Sequence, residues 1–188
     1  ATAETAHVVR EQGIGEVTWK TFEAGQAFLI DHLSVQSFAI QHDAVDPVGF
    51  VIDSRGLRFG LLSDAGHVTA NMIHHLHGLS ALFVEANYDD ELLELDTKRP
   101  WSIKQRISSR HGHLSNVQVE ALLREIAHAD LLRIVFGHLS SDCNCPDKVS
   151  NRFANCLAEL GHTSTALHCA SQAETTPWFE VSEPFRLV

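Results

Sequence analysis

Residues 37–50 read Ser37-Phe38-Ala39-Ile40-Gln41-His42-Asp43-Ala44-Val45-Asp46-Pro47-Val48-Gly49-Phe50. The stretch from Leu33 to Ile40 alternates Leu33, Val35, Ser37 and Ala39 against Ser34, Gln36, Phe38 and Ile40, the period of a half-buried strand. His42, a metal-ligating residue type, follows directly. The pattern recurs twice. Phe59-Gly60-Leu61-Leu62-Ser63 leads to Asp64, and Ile134-Val135-Phe136-Gly137 leads to His138. Strand ends along one edge of a sheet are where α/β proteins build sites. Imidazole and carboxylate together suit zinc, manganese or iron, and such an ion lowers the pKa of bound water. Each residue also has a plain reading: a histidine at a sheet edge, an aspartate closing a turn before Ala65-Gly66. Spacing alone leaves both readings open.

Working outward, Val48 to Asp53 reads as a strand. Ser54-Arg55-Gly56 turns it, and Leu57 to Leu62 returns, so this part of the chain is a β-meander. Upstream, residues 3–12 suit a helix stopping at Gly13, and Val17 to Lys20 and Phe28 to Ile30 suit short strands. Downstream the character changes. Helices are expected over Thr69 to Leu76, Asp89 to Leu95, Pro100 to Ser108, from Ser115 onward, and over Asp147 to Leu160. Short buried strands alternate with them at Ala81 to Glu85, Leu131 to Phe136 and Thr163 to Cys169. Ser115-Asn116-Val117-Gln118 has the form of a capping box, and Val119, Leu122, Leu123 and Ile126 share the following helix face. A meander followed by alternating helices and strands predicts α/β architecture with helices covering a sheet.

The 188 residues suit a single domain, and 44% hydrophobic residues suit a globular one. No apolar run reaches the roughly 20 residues of a membrane helix, so no membrane partner is expected. No secretory leader is visible, and four cysteines are too few for a disulfide scaffold; the expectation is a reduced, cytoplasmic protein. The formal charge of −10 argues against general attraction to nucleic acid. A local exception exists. Residues 98–110 carry Lys98, Arg99, Lys104, Arg106 and Arg110 with no acid among them. They could form a solvated helix face or neutralise phosphates, with Trp101 stacking on a base.

The words around the three strand ends are more specific. His42-Asp43-Ala44-Val45-Asp46-Pro47-Val48-Gly49-Phe50, Ser63-Asp64-Ala65-Gly66-His67-Val68, Glu85-Ala86-Asn87-Tyr88-Asp89, Gly112-His113-Leu114-Ser115-Asn116 and Gly137-His138-Leu139-Ser140 occur in this order. Together they resemble the metallo-β-lactamase-fold hydrolases, in particular the YycJ/WalJ-like branch, from near residue 1 to about residue 170. The resemblance implies an αββα sandwich. It implies one or two divalent metals, zinc or manganese, with His42, Asp64 and His138 as ligands and Asp64 as the bridging carboxylate. It implies metal-dependent phosphodiester hydrolysis by metal-bound hydroxide, of the 5′-to-3′ DNA exonuclease type, with DNA as substrate. Asp64 and His113 would be the catalytic residues, His113 facing the phosphate. Lys104, Arg106, Arg110, Ser115 and Asn116 would bind substrate. His67, Glu85 and Asn87 would stand behind the ligands and hold them. The fold also admits hydrolysis of a small cyclic phosphodiester or a thioester, or a degenerate binding scaffold.

The family's first motif, H-x-H-x-D-H, has no match. His75-Leu76-His77 and His111-Gly112-His113 supply only its first two histidines. The expectation is a single metallo-β-lactamase-like domain over residues 1–188 whose first strands and first motif lie outside this chain. His74 and His77 share a helix face, which suits a polar surface better than a second metal site.

Overall fold

The computed structural model describes residues 1–13 and 17–181. Seven strands form one mixed sheet in chain order: β1 (Ala27–Ile30), β2 (Leu33–Ala39), β3 (Val48–Ser54), β4 (Leu57–Leu62), β5 (Ala81–Glu85), β6 (Arg133–Gly137) and β7 (Ala166–Cys169). The first four are antiparallel; two-residue turns join β1 to β2 and β3 to β4, and residues 40–47, with His42 among them, link β2 to β3. From β4 onward the pairing is parallel, and helices make the crossovers. Parallel neighbours cannot be joined by a hairpin, which is why helical sequence enters at residue 69. The helices are α1 (Ala3–Glu11), α2 (Ala70–Leu76), α3 (Asp90–Leu95), α4 (Trp101–Ile107), α5 (Asn116–Ile126) and α6 (Pro146–Glu159).

One face of the sheet is closed by α2, α5 and α6. Phe38, Val51, Leu62, Leu82, Val84, Ile134 and Phe136 meet Met72 and Leu76 of α2, Val119, Leu122, Leu123 and Ile126 of α5, and Val149, Phe153 and Leu157 of α6. Phe136 and Phe153 stack at 4.3 Å between centroids. Burying each such side chain contributes about 1.5–3 kcal/mol, so this layer holds the sheet and its strand ends in place. The capping box at Ser115 forms as its sequence predicts: Gln118 N–H donates to the serine hydroxyl, and the Gln118 side chain accepts from Ser115 N–H.

Across the sheet, the opposite face carries the register row Ser37, Phe50, Leu61, Phe83, Val135 and His168. Phe50, Leu61 and Phe83 in that row are only half-buried. Phe22 covers one end, against Phe28 and Phe50; Phe179 covers the other, against His168 and Arg133.

Val17 to Lys20, expected as a strand, is irregular. The Lys20 carbonyl accepts from the Ala1 ammonium at 3.3 Å, and strand-type pairing begins only at Phe22, with a parallel bridge to Thr2. Among the described residues, no helix is long and apolar enough to cross a membrane.

Candidate metal centre

The ends of β2, β4, β5 and β6 place His42, Asp64, Glu85 and His138 at one rim of the sheet. Asp64 Oδ1 is the common point. It lies 3.7 Å from His42 Nε2, 3.7 Å from His138 Nε2 and 3.8 Å from His113 Nδ1. The two Nε2 atoms are therefore no farther apart than twice that distance. The rings of His42 and His138 each flank His113, at 5.0 and 4.9 Å between centroids.

The outer nitrogens of the histidines are already committed. His42 Nδ1–H donates to the carbonyl of Gly112 at 2.9 Å, leaving the Nε2 lone pair for the site. His138 Nδ1–H donates to Glu85 Oε2 at 3.2 Å, with the same result. His113 Nδ1–H donates to the same oxygen at 3.0 Å. This is the arrangement that fixes metal-ligating imidazoles in one tautomer. Glu85 itself is fully buried, and its other oxygen accepts from the backbone N–H groups of Ala65 (2.7 Å) and Leu114 (3.2 Å). Burial alone would push its carboxyl up. The donors His113, His138 and Ala65 N–H outweigh that and hold it ionised, below the usual carboxylate range. In return, the hydrogen bond to Glu85 raises His138 above the ordinary histidine value, against its partial burial.

Ligand atoms of Asp64, Glu85, His113 and His138 all lie within 4.8 Å of one another. With both of its oxygens taken by four donors, Glu85 is a brace rather than a ligand. Asp64 is the opposite: its side chain is 46% exposed, and Ser63 Oγ–H at 3.4 Å is the hydroxyl that reaches it. Asp64 and His138 also share a backbone feature. Both lie in the left-handed region, with φ of 57° and 52°. A non-glycine residue held there is strained, and such strain clusters at sites that need one side chain aimed one way.

The rim is locked by two loops that cross at backbone contact. A Cβ on Gly66 would come within 2.3 Å of Arg110 C, and one on Gly112 within 2.1 Å of Ile107 O. Neither glycine has positive φ; what they supply is room. The crossing brings the Gly112 carbonyl to His42. Gly66→Ala is therefore expected to cost roughly 1–3 kcal/mol by overpacking, since backbone cannot swing aside as a side chain does. Thermal unfolding of the metal-free variant reads this directly, and an unchanged midpoint would contradict it.

The fold is one whose model, described as a beta-lactamase superfamily domain, matches residues 1–138. The chain belongs to that superfamily. Within it, the order of motifs and the curated relatives point to the YycJ/WalJ-like branch. The chain is 29% identical over 140 residues to an exodeoxyribonuclease YycJ of Bacillus anthracis, covering 74% of this chain and 53% of that protein. It is 33% identical over 139 residues to an exodeoxyribonuclease WalJ of Streptococcus pneumoniae, covering 73% and 51%. The chain thus spans about half the length of the curated relatives it matches. Among solved structures, the metallo-beta-lactamase fold protein YhfI of Bacillus subtilis superposes with a TM-score of 0.63 at 13% identity, over 89% of this chain and 60% of that one. Zn(2+)-bound PqqB of Methylobacterium extorquens gives 0.60 at 20% identity, over 90% and 61%.

This superfamily member differs from its sequence-based expectations in several places. Ser115 and Asn116, expected to touch substrate, are buried. Ser115 caps α5. Asn116 exchanges two hydrogen bonds with Asn144, which also donates to the Ala86 carbonyl and accepts from Cys145 N–H. His67, expected behind the ligands, instead donates from Nδ1 to the Arg110 carbonyl and accepts the Arg110 guanidinium on Nε2. Asn87 donates to the His138 carbonyl at 2.8 Å.

The basic run is largely spoken for. Lys98 and Arg99 pair with Asp142, Arg99 also with Asp96, Lys104 donates to the Glu94 carbonyl, and Arg106 pairs with Asp43. Asp43 is the residue that sequence reasoning missed. Its Oδ1 lies 3.4 Å from His42 Nε2, and the Arg106 guanidinium holds its carboxyl below the usual range. Its place directly after His42 was the available signal.

Proposed function

We propose that the chain carries the metal-binding rim of a phosphodiesterase acting on DNA, of the 5′-to-3′ exonuclease type, with His42, Asp64 and His138 as ligands. The observation that carries this reading is the convergence of these three donors, with each histidine already turned so that Nε2 faces inward. The donor set of imidazole nitrogens and one exposed carboxylate fits zinc or manganese. A bound divalent ion supplies Lewis acidity and a water activated near neutral pH. The protein's own part is positioning. Asp64 holds the shared point. Glu85 keeps His113 and His138 in register. His113, between the other two rings, lies where it can donate to a phosphoryl oxygen. Strand ends backed by a packed helix layer keep these groups from reorganising during reaction. Names of the two relatives support DNA as the polymer, and the four free cysteines support a reducing, cytoplasmic setting.

A second reading has its own observation. Lys98, Arg99 and Arg106 are paired with acids. That weakens the case for a long polyanion and favours a small phosphodiester. Salt separates the two. If the chain contacts about three phosphates of a single strand, affinity for a 5′-phosphorylated oligonucleotide should fall roughly ten- to twenty-fold between 50 and 200 mM salt. A flat response would set DNA aside in favour of the small substrate. Calorimetric titration with zinc and manganese comes first: absence of saturable binding in the micromolar range or tighter would sink both readings and leave a scaffold.

A further inference from the structure

Three successive carbonyls flank the metal rim. That of Arg110 accepts from His67 Nδ1–H at 3.2 Å, that of His111 from Asp43 N–H at 2.9 Å, and that of Gly112 from His42 Nδ1–H at 2.9 Å. Two residues of chain span at most about 7 Å, so His67 is held close beside the metal ligand His42. The residue before His67 is pinned at both backbone groups: Gly66 N–H donates to the Gln41 carbonyl at 2.7 Å, and its carbonyl accepts from the Gln118 side chain at 3.2 Å. With its proton on Nδ1, His67 can only accept at Nε2, and there the Arg110 guanidinium donates to it at 3.0 Å. The arginine is thus steadied by a neutral partner. Among the described residues, no carboxylate pairs with it. In the same basic run Lys98, Arg99 and Arg106 are each matched by an acid, and Lys104 is tied to the Glu94 carbonyl of α3. Arg110 is exposed, so its charge and the remaining donors of its guanidinium face solvent beside the rim.

We propose that Arg110, steadied by His67, receives the terminal 5′-phosphate of the strand, one nucleotide away from the phosphate at the metal. The inference rests on the nucleic-acid reading above and adds to it the group that recognises the strand end. The planar fork of an arginine fits two phosphate oxygens at once. A terminal monoester offers three oxygens and nearly twice the charge of an internal diester. One open cation among neutralised ones suits a single phosphate rather than a track for many. Cleavage at the next phosphate then releases one nucleotide per event. His67 is a positioning residue that acts through the guanidinium. A carboxylate in its place would grip Arg110 harder but cancel the charge that the phosphate needs; a neutral imidazole does the first without the second.

The test uses the zinc-loaded chain and two fluorescent, cleavage-resistant phosphorothioate tetrathymidylates, one bearing a 5′-phosphate and one a 5′-hydroxyl. The phosphorylated probe is expected to bind about 10- to 100-fold tighter. Arg110→Gln should bring that ratio close to one. His67→Glu should do the same although the arginine stays held, whereas a pair that serves the fold alone would leave the ratio as it was. His67→Gln, which keeps a neutral acceptor, should retain most of the preference. Zinc titration of each variant should match the parent, which keeps misfolding out of the comparison. If both probes bind the parent equally, or if the preference survives either Arg110→Gln or His67→Glu, the assignment is overturned and the nucleic-acid reading stands. If neither probe binds the parent, both are overturned.

Discussion

Replacing Asp64 by glycine is expected to abolish tight metal binding while leaving the metal-free protein at least as stable as its parent. The two effects have separate origins. The carboxylate is the point that His42, His113 and His138 all approach, at 3.7–3.8 Å. Structural zinc sites bind with about 10–16 kcal/mol in total, so loss of one of the three proposed donors should weaken binding on the order of a hundredfold or more. The backbone argues the other way. Asp64 sits at φ 57°, where a side chain costs roughly 1–2 kcal/mol and glycine costs nothing. The greater freedom of glycine in the unfolded chain offsets part of that gain. Melting curves should therefore cross over. In chelator the variant matches or exceeds the parent. In zinc at about 100 times the parent's Kd, the parent gains about 2.7 kcal/mol that the variant does not. A variant that still binds zinc as the parent does would remove Asp64 from the site.

At Glu85, two substitutions should diverge. Glu85→Ala leaves two buried backbone N–H groups and two imidazoles without their acceptor. Breaking a buried charged network in this way costs about 3–5 kcal/mol, so the variant is expected to unfold at much lower temperature or fail to fold. Glu85→Gln keeps an oxygen for Ala65 and Leu114 and preserves the volume. What it loses is the second acceptor. The amide nitrogen would face His113 and His138 with protons of its own, pushing their Nδ1 atoms to accept and their Nε2 atoms to carry the proton. The Nε2 lone pair then no longer faces the ion. Metal affinity should fall about 10- to 100-fold with little change in the metal-free melting temperature. Equal zinc affinity in the glutamine variant and the parent would show that the tautomers are set by something else.

The sequence carried the site better than the ground around it. That His42, Asp64 and His138 would meet was legible because each follows an apolar strand, and β2, β4 and β6 run the same way, so their C-terminal ends fall on one rim. Glu85 was legible as a carboxylate closing a buried strand, which must have partners. Ser115 and Asn116 were misread for a physical reason. Adjacency to His113 along the chain says nothing of direction, and the helix they open turns Asn116 into the core toward Asn144. The ion pairs of the basic run were not legible because its counter-charges come from elsewhere: Asp43 lies 63 positions before Arg106, and Asp142 lies 44 after Lys98. Only folding brings such pairs together. Val17 to Lys20 has strand composition, but bridge pairing starts only at Phe22 and goes to Thr2, at the start of α1, rather than to β1.

The crossing of Gly66 over the 110–112 backbone ties the ion's fate to a helix that donates nothing to it. His42 keeps its orientation through one carbonyl, at Gly112, and that carbonyl is fixed by the turn that follows α4. Arg106 on α4 grips Asp43, the neighbour of His42. The rim and the basic helix are thus joined by two fastenings, one through the Gly112 carbonyl and one through Asp43, and both end at His42 or its neighbour.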